Sequence, residues 1–390
     1  MSSTGKICTR GIWDESVPGI TFDENGVSNF AHLQQKLMDT YPRGEKGEDE
    51  WNKIVKHIKQ RKRGKYNCIV GVSGGVDSSY LLYLIKVKYG LNPLAVTVDN
   101  GWNTNIAVEN IKKITQALDV DLETYVINYE EITDLLRSYM YAGLPWIDMA
   151  SDVAIKSVMY KYAISENVKY IFRGNDFRSE GKQPREWTYG DGRQLNYIHK
   201  KFGHLKRLKT FPYLPYRRII YAGFIKGIKE IRPYYYLDYT KSEARKFLKD
   251  KFGWQYYGGH HHENNFTKYA MSVWLPDKFG IDKRIINLSA QVLAGSISRE
   301  EALAHISAPA LNSKEKIELS NYIIKKLDLT REEYEQILTA QCRSYKDYPN
   351  YEKLLYTLLR FMKPFIKLVY KQIPMTFVEM EMNKKNETDH

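Results

Sequence analysis

Between Asn67 and Val72 the chain runs apolar and β-branched, and from Val76 to Tyr89 leucines and an isoleucine recur at helical spacing. The alternation then repeats. Pro93 to Val98 carries a strand signal and Ala107 to Leu118 a helix signal; Glu123 to Asn128, Val168 to Arg173 and Lys229 to Pro233 read as further strands. Short apolar runs alternating with helix-length segments predict βαβ units. Their right-handed crossovers build a doubly wound parallel sheet with helices on both faces, an α/β fold. Such sheets bind ligands at the carboxyl ends of their strands, so the loops after Val72, Val98 and Arg173 are expected to meet.

Residues 1–64 precede this pattern as an N-terminal extension. It has turn-forming segments at Pro18-Gly19 and Asp23-Glu24-Asn25-Gly26 and an expected helix from Glu48 to Gln60. The α/β domain is assigned to residues 65–240 and a mainly helical C-terminal region to 241–390. That region has helical patterns at Ser242 to Lys251, Lys283 to Leu293, Arg299 to His305, Ser313 to Leu327 and Arg331 to Leu338, and a polar end, Asn383 to His390, expected to fray.

With 43% hydrophobic and 27% charged residues and no low-complexity tract, the chain is a folded protein rather than a disordered one. No apolar run reaches the length of a membrane span, and Met1 to Lys6 lacks the apolar core of a signal peptide, so a cytoplasmic location is expected. Three scattered cysteines, Cys8, Cys68 and Cys342, make no disulfide framework. The net charge of +13 favours an anionic ligand or surface without choosing among them. The basic run Lys59 to Lys65 reads as a solvated helix end, with an anion or RNA contact as the alternative.

The segment Ser73-Gly74-Gly75-Val76-Asp77-Ser78 joins the first strand to its helix. Adjacent glycines let the backbone turn tightly and approach a ligand, while free N–H groups at the helix start attract phosphate oxygens. The lysine of a Walker loop is missing and an aspartate stands instead. A carboxylate beside phosphates calls for a cation between them, which makes Asp77 the candidate Mg²⁺ ligand; a helix cap is the competing assignment.

These six residues, SGGVDS, resemble the signature of the N-type ATP pyrophosphatases, and Val98-Asp99-Asn100-Gly101 looks like that superfamily's second nucleotide-binding segment. The resemblance implies an adenine nucleotide alpha-hydrolase-like fold, ATP and Mg²⁺ as cofactors, and cleavage of ATP between its α and β phosphates. Ser73 to Ser78, Val98, Asn100 and Gly174 would bind the nucleotide.

Further stretches are similar to the N-acetyl sugar amidotransferases of surface-polysaccharide (O-antigen) biosynthesis. They are Ile7 to Arg10 with Pro18 to Val27; Arg178 to Gly181 with Glu186-Trp187; Tyr257 to Glu263 with Phe266 to Lys268; and Lys278 to Arg284 with Leu288-Ser289. Members of that family often begin with two CxxC pairs suited to zinc. Here only Cys8 stands, with Gly11, Ser28 and Ala31 where partners would be, so no zinc is expected. The family reading assigns catalytic roles to Ser73, Asp77, Lys182, His262 and Glu263, and acceptor binding to Arg178, Glu180, Arg185, Trp187, Lys268, Lys283 and Arg284. Surface solvation is the alternative for the basic residues. Core packing is the alternative for the aromatic ones and for the cluster His260, His261, His262 and Glu263.

The resemblance implies that the acetamido oxygen of a nucleotide-linked N-acetyl sugar is adenylated and then replaced by ammonia-derived nitrogen. No glutaminase signature accompanies these motifs. A separate class I glutaminase subunit is therefore implied as the ammonia source, with room for a barrel-shaped cyclase-like subunit between the two. Self-association is left open, and nucleic acid is not expected as a partner. The rival readings are a tRNA-modifying ATP pyrophosphatase and a non-catalytic nucleotide-binding scaffold.

Overall fold

The computed structural model describes residues 5–61, 64–259 and 261–369, apart from the side chains of 359 and 362–369. Lys62 and Arg63 of the basic run, His260 and the tail Asn383 to His390 lie outside the described residues. Five parallel strands form the sheet: β1 (Cys68–Gly71), β2 (Pro93–Asp99), β3 (Leu122–Val126), β4 (Tyr170–Phe172) and β5 (Lys229–Ile231), in the order β3-β2-β1-β4-β5. Val70 lies opposite Ala95 on one side and Phe172 on the other.

Burial on both faces explains why the central strand reads as an unbroken apolar run. Cys68 and Val70 pack on one side with Trp51, Val55 and Ile58, while Ile69 packs on the other with Val158, Met159 and Ala163. At the sheet edge, β3 breaks that run with Glu123 and Thr124 and leaves Val126 67% exposed. Strand order reverses between β1 and β4, and there the loops after both strands open a crevice.

The helix expected from Val76 to Tyr89 ends as an α-helix at Tyr83 and continues as a π-helical turn, Leu84–Lys88. The wider turn keeps Leu84 and Ile85 both in the core, while Lys88 faces out to an ion pair with Glu48. Periodicity at 3.6 residues does not anticipate such a bulge. Helices at Asn29–Thr40, Tyr129–Tyr141, Met149–Ser165, Gly192–Phe202 and Glu352–Val369 add to those read from the sequence.

The N-terminal extension is stitched to helix Arg284–Leu293. Ile12 N–H donates to Ser289 Oγ at 2.9 Å, and Cys8, Trp13 and Ala31 pack with Trp187, Ile285 and Ile286. Helix Lys241–Phe252, beyond the boundary expected at residue 240, brings Ala244 and Leu248 into the apolar cluster of β1. Among the described residues no helix is long and apolar enough to cross a membrane.

Candidate active site

Gly74 follows β1 with φ +77°, and a Cβ there would stand 2.2 Å from the Ala107 carbonyl oxygen, so only glycine fits. Its own carbonyl accepts from Trp254 Nε1 at 3.0 Å and Asn110 Nδ2 at 3.2 Å. Gly75 takes the N-cap position without any side-chain cap, which corrects the alternative that Asp77 caps this helix. Ser78 Oγ accepts from Ser73 N–H at 3.1 Å and donates to the Gly75 carbonyl at 3.2 Å, closing the loop on itself. From the β4 side Gly174 backs onto the first helical turn; a Cβ would lie 3.1 Å from the Asp77 carbonyl carbon. Asn100, buried after β2, donates to Ser151 Oγ at 2.9 Å and accepts from Asn264 Nδ2 at 3.0 Å, while the Val98 carbonyl accepts from Asn103 at 3.4 Å. The three expected loops thus meet at the carboxyl ends of the strands.

Asp77 is held from both sides. The Tyr239 hydroxyl donates to Oδ1, and Lys241 Nζ lies 3.1 Å from Oδ2. Burial opposes the Lys241 charge, but Asp77 and then Glu180 outweigh it and raise its pKa. Tyr234 stacks on Tyr239 with ring centroids 4.0 Å apart and donates to the Asp77 carbonyl at 2.7 Å. Asp77 retains 20% side-chain exposure. One partly exposed carboxylate fits Mg²⁺ in the way that ion prefers, with substrate phosphates and water supplying its remaining ligands.

A segment from the C-terminal region covers the loop. Tyr257 OH accepts from Val76 N–H at 3.3 Å, and Glu263 Oε1 accepts from Ser73 Oγ at 3.4 Å. Both oxygens also crowd Gly75: a Cβ there would meet Tyr257 OH at 3.1 Å and Glu263 Oε1 at 3.3 Å. Two oxygens of this segment therefore sit where the loop's donors point. His261 Nδ1 lies 3.5 Å from Glu263 Oε1. Burial presses Glu263 towards its neutral form, yet the His261 hydrogen bond and charge prevail and lower its pKa; the same pairing raises that of His261 against burial. Burial and the Lys268 charge push His262 down to about 4, leaving it neutral at pH 7.

Behind this segment lies a buried acid–base group. Helix Met149–Ser165 begins at the carboxyl end of the sheet, as the bond from Asn100 to Ser151 shows. Asp148 and Asp152 stand one turn apart there. Thr267 Oγ1 donates to Asp148 Oδ2 at 2.5 Å and Trp146 Nε1 to Asp152 Oδ2 at 2.7 Å. Burial, then the Asp152 charge, raise Asp148 to about 7. Burial lowers Lys283 to about 8 against the pull of Asp152, Glu180 and Asp148, and its Nζ lies 4.1 Å above the Trp146 ring.

The other expected acceptor residues disperse. Arg178 is buried, stacks on Phe177 and donates to the carbonyls of Tyr41 and Tyr235; burial lowers it to about 10. Arg185 pairs with Glu352 at 2.8 Å, Arg284 with Asp282 at 2.6 Å, and Trp187 is packed in the N-terminal cluster. Glu180 accepts from Asn175 Nδ2 at 3.1 Å, and its charge acts on Lys241, His261 and Lys283. Lys182 is half-buried on the following loop and Lys268 half-buried beside His262. Sequence reasoning missed Tyr239, Lys241, Trp254 and Asn264 at the loop, and Asp148 and Asp152 behind it. The last two were discoverable, being the only charges between Ala142 and Ile155, at helical spacing.

Comparison with known proteins adds a family match and three relatives. Residues 263–363 match the family described as LPS biosynthesis protein WbpG-like, C-terminal domain. An uncharacterized protein of Methanocaldococcus jannaschii is 30% identical over 183 residues, which cover 47% of this chain and 64% of that protein. A glutamine-hydrolyzing GMP synthase of Pyrobaculum aerophilum is 27% identical over 152 residues, 37% of this chain and 28% of that one. The NH₃-dependent NAD⁺ synthetase of Mycoplasmopsis pulmonis is 26% identical over 149 residues, 37% of this chain and 53% of that one. The chain thus spans less than two thirds of the length of each of these relatives.

Proposed function

We propose that the chain is a PP-loop ATP pyrophosphatase and, more narrowly, an ATP-dependent amidotransferase acting on a nucleotide-linked N-acetyl sugar, a reading supported by its similarity to a GMP synthase and an NAD⁺ synthetase and by the WbpG-like match of residues 263–363. The acetamido oxygen attacks the α-phosphorus of ATP, the bond to the β-phosphate oxygen breaks and pyrophosphate leaves. Ammonia then adds to the imidate carbon, the carbon–oxygen bond breaks, and AMP departs with the former amide oxygen. Adenylation turns a poor leaving oxygen into a good one.

The observation that carries this reading is the meeting of the two halves. The Ser73–Ser78 loop supplies phosphate donors at the strand ends, and Tyr257 and Glu263 reach into that loop from the C-terminal side. Any acceptor held by the C-terminal domain would lie next to the nucleotide phosphates. Bound at Asp77, Mg²⁺ would neutralise charge on the leaving pyrophosphate. Gly75 and Val76 N–H groups and the Ser73 and Ser78 hydroxyls orient phosphate oxygens, and Lys241 holds a positive charge beside them. Lys182, Arg185, Lys268, Lys283 and Arg284 remain candidates for the acceptor side. We place the enzyme in the cytoplasm, served with ammonia by a separate glutaminase, in the making of surface polysaccharide.

An ammonia-dependent pyrophosphate assay with ATP, Mg²⁺ and a panel of nucleotide-linked N-acetyl sugars tests this. Product mass should fall by about one unit as oxygen gives way to NH, with AMP formed in step. Pyrophosphate release with tRNA and with no sugar would move the activity to RNA.

A further inference from the structure

We propose that Asp148, with Asp152 beside it, forms a binding site for an amidinium cation, the group that the proposed reaction would leave on its acceptor. The substrate class rests on the function proposed above, whereas the site is drawn from the side chains themselves. An amidine carries a proton in neutral water, so the reaction converts a neutral amide into a planar cation with parallel N–H donors. A carboxylate is the complementary partner of that shape, as it is for guanidinium.

Three features of the buried group fit such a ligand. First, Asp148 is 4% exposed and, among the described residues, its Oδ1 has no partner at hydrogen-bond geometry, although Oδ2 is fixed by Thr267 and the Ser151 hydroxyl lies close enough to favour the charged carboxylate. A buried carboxylate oxygen left open is costly unless a ligand completes it. Second, the positive groups serve Asp152 more than Asp148. The Trp146 N–H, then the charges of Lys283, Arg173 and His261, favour the ionised form of Asp152, whereas His261 is the cation that favours the ionised form of Asp148. Third, the group stands at the carboxyl end of the sheet, joined to the nucleotide loops through Ser151, Asn100 and Asn264.

A site of this kind gains most when the cation forms. It would hold the amide weakly and the developing amidinium strongly, which is the differential binding that lowers a barrier. Protonation of Asp148 competes with the cation. With its carboxyl raised by burial to about 7, affinity should fall roughly thirtyfold between pH 8 and pH 5.5. Protonation of His261 and of Lys283, the latter lowered by burial to about 8, adds positive charge over the same fall in pH and acts in the same direction, as does protonation of Asp152, whose carboxyl burial raises.

Calorimetry on the full chain at pH 8, with acetamidinium chloride, acetamide and tetramethylammonium chloride as probes, tests the site. Saturable one-to-one binding of acetamidinium alone is expected, weakened at pH 5.5 and lost in Asp148→Asn. Thermal unfolding of the variant checks that it folds, and the pH series on the unmodified protein does not depend on any variant. Acetamidinium binding no better than tetramethylammonium, or binding unchanged in Asp148→Asn, overturns the proposal. Acetamidinium binding without turnover of any N-acetyl sugar would keep the site and remove the sugar reading; turnover without binding would do the reverse.

Discussion

Ser73 Oγ and Glu263 Oε1, 190 positions apart in the chain, lie 3.4 Å from each other across the mouth of the phosphate loop. A carboxylate thus stands where a nucleotide would bring phosphate oxygens. Its other oxygen, Oε2, is buried without a partner among the described residues, so this arrangement is not the one that satisfies Glu263 best.

Glu263→Gln removes a negative charge from beside the incoming phosphates. For charges about 4 Å apart this is worth about 4 kcal/mol at an effective dielectric of about 20 and about 1 kcal/mol at that of bulk water, so ATP should bind at least roughly tenfold more tightly, measured calorimetrically without acceptor. Weaker binding would make Glu263 a ligand of the nucleotide rather than its stand-in.

The loop and the sheet were legible in the sequence because their signals are local. Gly74 is required by a backbone angle and a clash with Ala107, and β1 is apolar because both of its faces are covered. The walls of the site were not legible. Tyr239, Lys241 and Tyr257 reach Asp77 and Val76 from more than 150 residues away, and no periodicity encodes such contacts. Arg178 shows the converse. Its position after β4 suggests a phosphate ligand, yet tertiary packing turns its guanidinium to the carbonyls of Tyr41 and Tyr235.

Asp148 should make stability depend on pH. A carboxyl raised from 3.8 to about 7 holds a proton in the folded chain that the unfolded chain has released. Its stabilising contribution is complete below about pH 4 and is lost as pH rises through 7. Asp148→Asn avoids that loss while Lys283 keeps Asp152 and Glu180. The variant is expected to exceed the parent by about 1–3 kcal/mol at pH 8, with the gap closing towards pH 5 in urea titrations. A gap of the same size at both pH values would assign the effect to packing instead.

Lys278 belongs to one of the stretches that carried the family resemblance, and its role is structural. Its ammonium donates to the carbonyls of Ile337 at 2.8 Å, Leu338 at 3.0 Å and Ala340 at 2.5 Å, closing the C-terminal end of helix Arg331–Thr339. Lys278→Met keeps a side chain of similar length but removes the ammonium that lies over Trp274 and leaves those carbonyls without their donor. A loss of about 2–3 kcal/mol in chemical denaturation is expected, with nucleotide affinity unchanged.

Asp77 separates an electrostatic role from a structural one. Because the helix N-cap is Gly75, Asp77→Ala removes no cap; it takes one acceptor from Tyr239 and one charge from Lys241. The expected cost in stability is about 1 kcal/mol, while pyrophosphate release should fall more than about a hundredfold if the carboxylate holds Mg²⁺ against the phosphates. Asp77→Asn sharpens the test, since an amide oxygen can still accept from Tyr239 but brings no charge. An Asn variant as inactive as the Ala variant, with unfolding close to the parent's, would assign the role to the charge. Retained turnover in either would take Asp77 out of the reaction and leave its partner Lys241 as the next charged group to be tested.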